Sequence, residues 1–207
     1  YKELAKYYDL IYSEKDYRKE TQEIVKIIKK YKKSSGNELL EVACGTGEYL
    51  KYLKKHYQCV GMDINKMMLK VGKKKNPDIP LYHKNMLHFD LNKKFDIILC
   101  LFSSIGYVKT YSNLKKTIKN FSYHLKNGGI LIIDPWVLKG EYKKRSSHMK
   151  TYTDKKIKFA ELTFSGIKNN LSILDIHYLI AEKDKPIKHF VDRHELGLFE
   201  ASQIVTC

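Results

Sequence analysis

The sequence of 207 residues predicts a doubly wound α/β fold with an appended antiparallel β-sheet. Strand-like and helix-like segments alternate from residue 39 to residue 134, which is typical of parallel strands joined by right-handed helical crossovers. After Trp136 the alternation stops, and three consecutive strand-like segments with short turns indicate an antiparallel sheet. We therefore expect two domains, 1–137 with an N-terminal helical flap and 138–207 as a lid over the first.

The first domain is predicted to contain five parallel strands and the helices between them. Apolar residues recurring at intervals of three and four predict helices over 17–32, 48–56, 65–75 and 112–125. The apolar run at 95–102 is nearly continuous, as expected for a strand in the middle of a parallel sheet. The predicted strands are 39–42, 59–63, 81–83, 95–102 and 130–134. In the second domain they are 157–164, 171–181 and 189–199, after an irregular basic stretch at 137–153.

The turn after the first strand is the most informative stretch of the chain. Glu41 lies within an apolar run, and Gly45 and Gly47 follow it in the segment EVACGTG. Glycine has no Cβ, so the backbone of such a turn can come close to a ligand. The pattern has neither the third glycine of the dinucleotide fingerprint nor the lysine of a phosphate-binding P-loop. A tight turn without a ligand is the structural alternative.

A second acidic residue ends the next predicted strand. Asp63 lies 22 positions after Glu41, an interval typical of a carboxylate that accepts hydrogen bonds from a cofactor ribose. The sequence therefore predicts a nucleotide-type ligand at the carboxyl ends of these two strands. Alternatively, Asp63 caps the helix that follows it, for which Asn65 is also suited.

The composition limits the partners and the cellular compartment that we expect for the chain. The net charge is +16, but the lysines are scattered and the chain has three arginines, so nucleic acid is not the expected partner. The four cysteines are widely spaced without metal-ligand spacing, which predicts reduced thiols and no metal site. No apolar run is long enough to span a bilayer, and the N-terminus has no signal-peptide core. A soluble cytoplasmic protein is expected, trimmed or incomplete at its N-terminus because it starts at Tyr1.

Several motifs together resemble a known enzyme family. EVACGTG is similar to motif I of the class I S-adenosylmethionine-dependent methyltransferases. FSSIGY, DPW and HFVDRHELGLF resemble the N,N-dimethyltransferases that act on deoxythymidine-diphosphate-linked amino sugars. The resemblance covers about residues 8–199. It implies a Rossmann-like methyltransferase sheet, S-adenosylmethionine as cofactor and an amine on a small nucleotide-linked sugar as substrate. Another small-molecule N- or O-methyltransferase and an RNA-binding or RNA-methylating protein remain alternatives.

The resemblance also implies site residues. The glycine turn would frame the methionine end of the cofactor, the next two strand ends would contact its ribose and adenine, and a Phe-Ser pair would lie near the sulfonium. Flap residues would close over the site, and the family usually has Asp where Asn85 stands. The expected cofactor-binding residues are Tyr12, Lys15, Glu41, Ala43, Gly45, Gly47, Asp63, Ile64, Asn85, Met86, Phe102 and Ser103. The candidate catalytic residues, which would orient the amine or take its proton, are Tyr12, His177 and His194.

Other residues have open assignments. Tyr12 alternatively packs against the first helix, Trp136 alternatively lies in the core, and a structural role is favoured for His124. Three basic residues beside the lid are expected either to contact a diphosphate or to form a solvated loop; they are Lys143, Lys144 and Arg145. The family continues after Phe199 with a helix and a hairpin that this sequence does not include. We therefore expect an uncovered sheet edge and self-association, for instance as a homodimer.

Overall fold

The computed structural model of the chain describes residues 4–137, 139 and 146–205. Their contacts group into two compact units. The first contains the residues up to Ile105 and the segment Ser112–Pro135, and the second contains Gly106–Tyr111 and the residues from Trp136 onward. The division into domains at residue 137 stays a prediction.

The first unit is built on a five-stranded parallel sheet, which confirms the predicted doubly wound α/β fold. The strand order is β3-β2-β1-β4-β5, with Leu40 of β1 opposite Val60 of β2 and Ile98 of β4. The order reverses between β1 and β4, where open α/β sheets bind ligands beyond the carboxyl ends of their strands. The strands are β1 Glu38–Val42, β2 Gln58–Asp63, β3 Leu81–His83, β4 Phe95–Cys100 and β5 Leu125–Ile133.

Five helices of the described residues accompany this sheet, and two of them begin at a side-chain cap, Asp16 and Asn65. The side chain of Asn65 accepts the N–H groups of Met67 and Met68, which begins the helix after β2 as predicted. No helix in the described part of the chain is long and apolar enough to cross a membrane. The helices are α1 Tyr8–Ile11, α2 Tyr17–Tyr31, α3 Glu48–Leu53, α4 Lys66–Lys75 and α5 Tyr111–Tyr123.

Two strand ends of the first unit differ from the prediction. The strand predicted to reach Phe102 ends at Cys100. Phe102 and Ser103 adopt φ angles of 51° and 61°, in the left-handed region, so the extended chain cannot continue through them. The last strand begins at Leu125 rather than after Gly129, with an irregular register between Phe95 and Ile97 of its neighbour.

The second unit contains a four-stranded antiparallel sheet with the strands in chain order, followed by helix α6 Ala201–Val205. Its first strand was missed, because 137–153 was predicted to be irregular. That strand has mostly polar side chains, and Met149 is 74% exposed, so no apolar alternation marks it. It is held instead by backbone pairing with its neighbour. The strands are β6 Ser146–Thr153, β7 Ile157–Lys168, β8 Leu171–Glu182 and β9 Lys188–Gly197.

Candidate active site

The glycine turn after β1 is fastened by the side chain that ends β2. Oδ2 of Asp63 accepts the N–H of Gly45 at 2.8 Å, and Oδ1 accepts the N–H of Asn65 at 2.7 Å. Ala43, Gly45 and Gly47 have φ angles of 56°, 54° and 74°. Asp63 therefore shapes this turn, while Asn65 caps α4. Each carboxylate oxygen has a further lone pair, so Asp63 keeps acceptor capacity for a ligand.

Glu41 brings a second carboxylate to the same place. It is 2% exposed, and its Oε2 has no hydrogen-bond partner among the described residues. Burial raises the pKa of Glu41 well above its usual value, and the Asp63 carboxylate raises it further. Burial also raises the pKa of Asp63, against the lowering effect of the backbone N–H groups of Asn65, Gly45 and Ile64. A buried acceptor without a partner is costly, so this pair favours a ligand that carries donors or positive charge.

The turn is packed on one side and open on the other. A Cβ added to Gly47 would lie 2.9 Å from Nδ2 of Asn76, which donates to the Gly47 carbonyl oxygen. A Cβ added to Gly45 would meet no described atom within 4 Å. An open backbone surface beside an unpartnered buried carboxylate fits the methionine end of S-adenosylmethionine, which carries an ammonium group and a sulfonium.

The ends of β2 and β3 carry the residues expected to contact the adenine. Ile64, directly after Asp63, is 63% exposed, which leaves an apolar surface open for a flat ring. The side-chain oxygen of Asn85 accepts the N–H of Leu87 at 2.9 Å, and Met86 is half-buried. Contacts of these three residues with the adenine stay predictions.

The N-terminal flap, which consists of α1 and the residues that follow it up to Lys15, and the turn after β4 bring three further predicted residues together. The rings of Tyr12 and Phe102 meet edge-to-face with centroids 5.1 Å apart, and Tyr12 also packs on Tyr8. Nζ of Lys15 lies 4.7 Å from the centroid of the Phe102 ring and forms an ion pair with Glu20. Aromatic faces attract cations, and here the Lys15 ammonium is the cation near the Phe102 ring. The hydroxyl of Ser103 instead donates to the carbonyl oxygen of Pro135, at 3.4 Å.

The two candidate catalytic histidines lie on opposite faces of the antiparallel sheet. His194 is 7% exposed and pairs in register with Leu174, whereas His177 is exposed and pairs with Val191. Successive side chains alternate between faces, which separates the two. Nδ1 of His177 lies 3.4 Å from Nε2 of His189. A catalytic role for His177 stays a prediction that its placement does not support.

His194 belongs to a polar series that includes a residue missed by the sequence-based prediction. Its Nδ1 lies 2.6 Å from the hydroxyl of Tyr107, and its Nε2 lies 3.5 Å from a carboxylate oxygen of Asp192. Tyr107 ends the FSSIGY motif, so the available signal was the motif itself, and nothing local links it to a residue 87 positions away. Tyr107 is 38% exposed, whereas His194 is buried behind it.

Three further predictions concern His124, a metal site and the basic residues expected at a diphosphate. His124 is buried, with Nδ1 2.9 Å from the carbonyl oxygen of Asn120 and Nε2 accepting the N–H of Leu91 at 3.4 Å, which is a structural role. The side chains described show no group of three or more His, Cys, Asp or Glu placed to hold a metal ion. The basic residues expected at a diphosphate lie outside the described residues; they are Lys143, Lys144 and Arg145.

Comparison with known proteins agrees with this geometry. The family pattern described as a methyltransferase domain matches residues 39–129. The chain is 28% identical over 204 residues to dTDP-3-amino-3,6-dideoxy-alpha-D-glucopyranose N,N-dimethyltransferase of Streptomyces fradiae, covering 97% of this chain and 80% of the relative. Among solved structures, Streptomyces venezuelae DesVI has a TM-score of 0.92 at 29% identity, covering 98% of this chain and 86% of that one. The sugar N-methyltransferase KedS8 from Streptoalloteichus sp ATCC 53650 has a TM-score of 0.89 at 29% identity, covering 96% and 81%.

The methyltransferase pattern covers both acidic strand ends and the glycine turn, and the relatives cover nearly the whole chain. These matches confirm the resemblance, the fold and the enzyme class inferred from the motifs. The chain is an S-adenosylmethionine-dependent methyltransferase by these matches, and it is similar over nearly its whole length to the dTDP-amino-sugar N,N-dimethyltransferases.

Proposed function

We propose that the chain methylates the amine of a nucleotide-linked amino sugar. The observation that carries this proposal is the extent of the similarity, since the Streptomyces fradiae relative aligns with 97% of this chain. The aligned part includes the antiparallel sheet as well as the methyltransferase domain, so it extends beyond the residues that any class I methyltransferase needs for its cofactor. Relatives that share both parts are named as N,N-dimethyltransferases of dTDP-linked amino sugars.

S-adenosylmethionine, when bound, supplies an electrophilic methyl group on a positively charged sulfur. Glu41, Asp63 and the glycine turn of 43–47 would hold it, and Tyr12 and Phe102, whose rings pack on each other, would lie near its sulfonium. The acceptor amine must be neutral to attack, and no leaving group needs a proton. The main tasks of the protein are therefore to align the reacting atoms and to exclude water.

Within the second unit, the Tyr107 hydroxyl lies 2.6 Å from Nδ1 of His194, and Nε2 of His194 lies 3.5 Å from a carboxylate oxygen of Asp192. Burial raises the pKa of Asp192, but its interaction with His194 leaves that pKa below its usual value, so Asp192 is a carboxylate beside the imidazole. In this proposal the Tyr107 hydroxyl binds a polar group of the sugar, and His194 acts through Tyr107 rather than on the substrate itself.

Three acceptors assayed in parallel with methyl-labelled cofactor test the proposal. They are a dTDP-linked amino sugar, its hydroxyl analogue and a transfer RNA. Label in the amino sugar, as mono- and then dimethylated product, is the expected result. Label in the hydroxyl analogue but not in the amine, or in the RNA, would replace the proposal with a small-molecule O-methyltransferase or an RNA methyltransferase.

The nucleotide part of the substrate needs its own test. If the diphosphate contributes binding energy, the free amino sugar should be a poor substrate in kcat as well as in KM. Charge-reversal variants at Lys143, Lys144 and Arg145 should then raise KM for the nucleotide-linked sugar and leave the free sugar unaffected. Equal kinetics for the two sugars would remove the diphosphate from the proposal. Self-association of the chain stays a prediction.

A further inference from the structure

A network of charged groups links the flap to the glycine turn within the first unit. Oδ1 of Asp9, in α1, accepts the hydroxyl of Thr46 at 2.5 Å, and Thr46 lies between the two glycines of the turn. Nζ of Lys75, the last residue of α4, donates to Oδ2 of Asp9 at 2.7 Å and to the Thr46 hydroxyl oxygen at 3.1 Å. The same ammonium forms an ion pair with Glu48, the first residue of α3. We call these four residues the Lys75 network.

The network is shielded enough to be stronger than a surface ion pair. The side chains of Lys75, Asp9 and Glu48 are 24%, 35% and 18% exposed, and Thr46 is 2% exposed. One ammonium serves two carboxylates here, and it lies at the end of a helix where a cation is favoured. Removing its charge would leave Asp9 and Glu48 to repel each other beside the turn.

The flap depends on such bonds because α1 has four residues and cannot be stable by itself. Tyr12 directly follows α1 as its C-cap, and it contacts Phe102. The position of Tyr12 therefore depends on where α1 is held. Since Asp9 binds Thr46, the flap is fastened to the same turn that presents Gly45 to the ligand.

We propose that Lys75 is a positioning residue for cofactor binding, which holds the flap in its closed place against the glycine turn. This inference rests on the cofactor site proposed above at Glu41, Gly45 and Asp63. Lys75 does not touch the cofactor in this account. It neutralises Asp9 and Glu48, so that α1 stays docked and Tyr12 stays beside Phe102 when the turn is correctly formed.

The test compares Lys75→Met, which keeps an apolar stem without charge, with Lys75→Arg, which keeps the charge. Lys54→Met is the matched control, since Lys54 forms an ion pair with Asp78 at 2.9 Å outside the site. Two quantities are measured: amide hydrogen exchange of residues 8–15 without ligand, and S-adenosylhomocysteine affinity by calorimetry. Lys75→Met should exchange faster at 8–15 and bind about tenfold more weakly, as expected for one charge-assisted pair. Lys75→Arg should keep most of the wild-type protection at residues 8–15 and most of the affinity. Lys54→Met should match the wild type in both measurements.

Two outcomes would overturn the inference. One is unchanged exchange and affinity in Lys75→Met. The other is a loss of affinity accompanied by faster exchange throughout β1 and β4, which would indicate general destabilisation. If wild-type protein binds no S-adenosylhomocysteine, the cofactor site proposed above fails. The exchange of residues 8–15 in ligand-free protein still decides whether Lys75 holds the flap.

Discussion

The two units of this chain bury their sheets in different ways. In the first unit every residue of β4 is buried, because a parallel sheet has helices on both faces. In the second unit burial alternates, so that Tyr178 and Ile180 are each 1% exposed while Leu179 between them is 49% exposed. Because both faces of the parallel sheet are covered, its polar ligand-binding side chains lie at the carboxyl ends of the strands, as Glu41 and Asp63 do. The antiparallel sheet has one buried face, which carries His194.

This contrast predicts which substitutions affect stability most. Leu99 in β4 is fully buried, and Leu162 in β7 is 53% exposed. Leu99→Ala should lower the free energy of unfolding by about 2–5 kcal/mol, from lost burial and the cavity left behind. Leu162→Ala should change it by less than about 0.5 kcal/mol. Urea unfolding measures both, with probes in each unit because the two transitions need not coincide. Similar losses for the two variants would contradict the contrast.

The strand-end carboxylate of the first unit should control cofactor affinity. Asp63→Ala removes the acceptor for the Gly45 N–H and the proposed acceptor for the cofactor ribose, with an expected loss of roughly 1.5–3 kcal/mol, or tenfold or more in Kd. Asp63→Asn should fall between, since its amide keeps one acceptor oxygen but sets an NH2 donor against the backbone N–H that the other carboxylate oxygen accepted. Calorimetric titration with S-adenosylhomocysteine measures the loss. Unchanged affinity in folded Asp63→Ala protein would rule out this role.

Alanine substitutions at two glycines, one in each unit, test the effect of backbone strain where neither site is crowded. A Cβ added to Gly45 or to Gly166 in β7 meets no described atom within 4 Å, but only Gly45 of these two has a positive φ. Gly45→Ala should cost about 1 kcal/mol of stability and weaken cofactor binding, because the turn must leave its left-handed conformation or bear the strain. Gly166→Ala should leave both unchanged. Thermal unfolding and the same titration compare them; equal effects would mean that strain is unimportant at the turn.

The pKa of Glu41 predicts a smaller, pH-dependent effect. Because its pKa is raised in the folded protein, the associated stability is present below about pH 4.3, the value for the unfolded chain, and is lost as pH rises through the folded pKa. If Glu41 faces the positively charged end of the cofactor, as proposed above, binding favours its ionised form and affinity should rise with pH over the same window. Glu41→Gln should reduce the pH dependence of both stability and affinity. The pH dependence that remains should come from Asp63, whose pKa is also raised. Identical pH profiles for wild type and Glu41→Gln would contradict this assignment.

The sequence predicted the local parts of the site well. The first βα turn, the acidic end of β2 and the Asn65 cap each depend on residues within a few positions, and each forms as the pattern indicated. Apolar periodicity also predicted the parallel strands, since burial on both faces leaves nearly continuous apolar runs.

The parts that escaped prediction depend on distant partners. β6 has no apolar alternation, and its backbone hydrogen bonds to β7 hold it in the sheet. Tyr107 and His194 lie 87 positions apart, and Asp9 and Lys75 lie 66 apart. No period or spacing in the sequence marks such pairs, because the fold alone brings them together. Phe102 and Ser103 adopt left-handed backbone angles although neither is glycine, so the sequence gives no local sign of the turn there.

The central claim is that the strand ends of the first unit hold the cofactor. The most direct test measures S-adenosylhomocysteine Kd for Asp63→Ala, with Tyr107→Phe in the second unit as the control. Asp63→Ala should weaken binding at least tenfold, because it removes a charged acceptor. Tyr107→Phe should leave Kd unchanged. Unchanged affinity in folded Asp63→Ala protein, or an equal loss in both variants, would contradict the account.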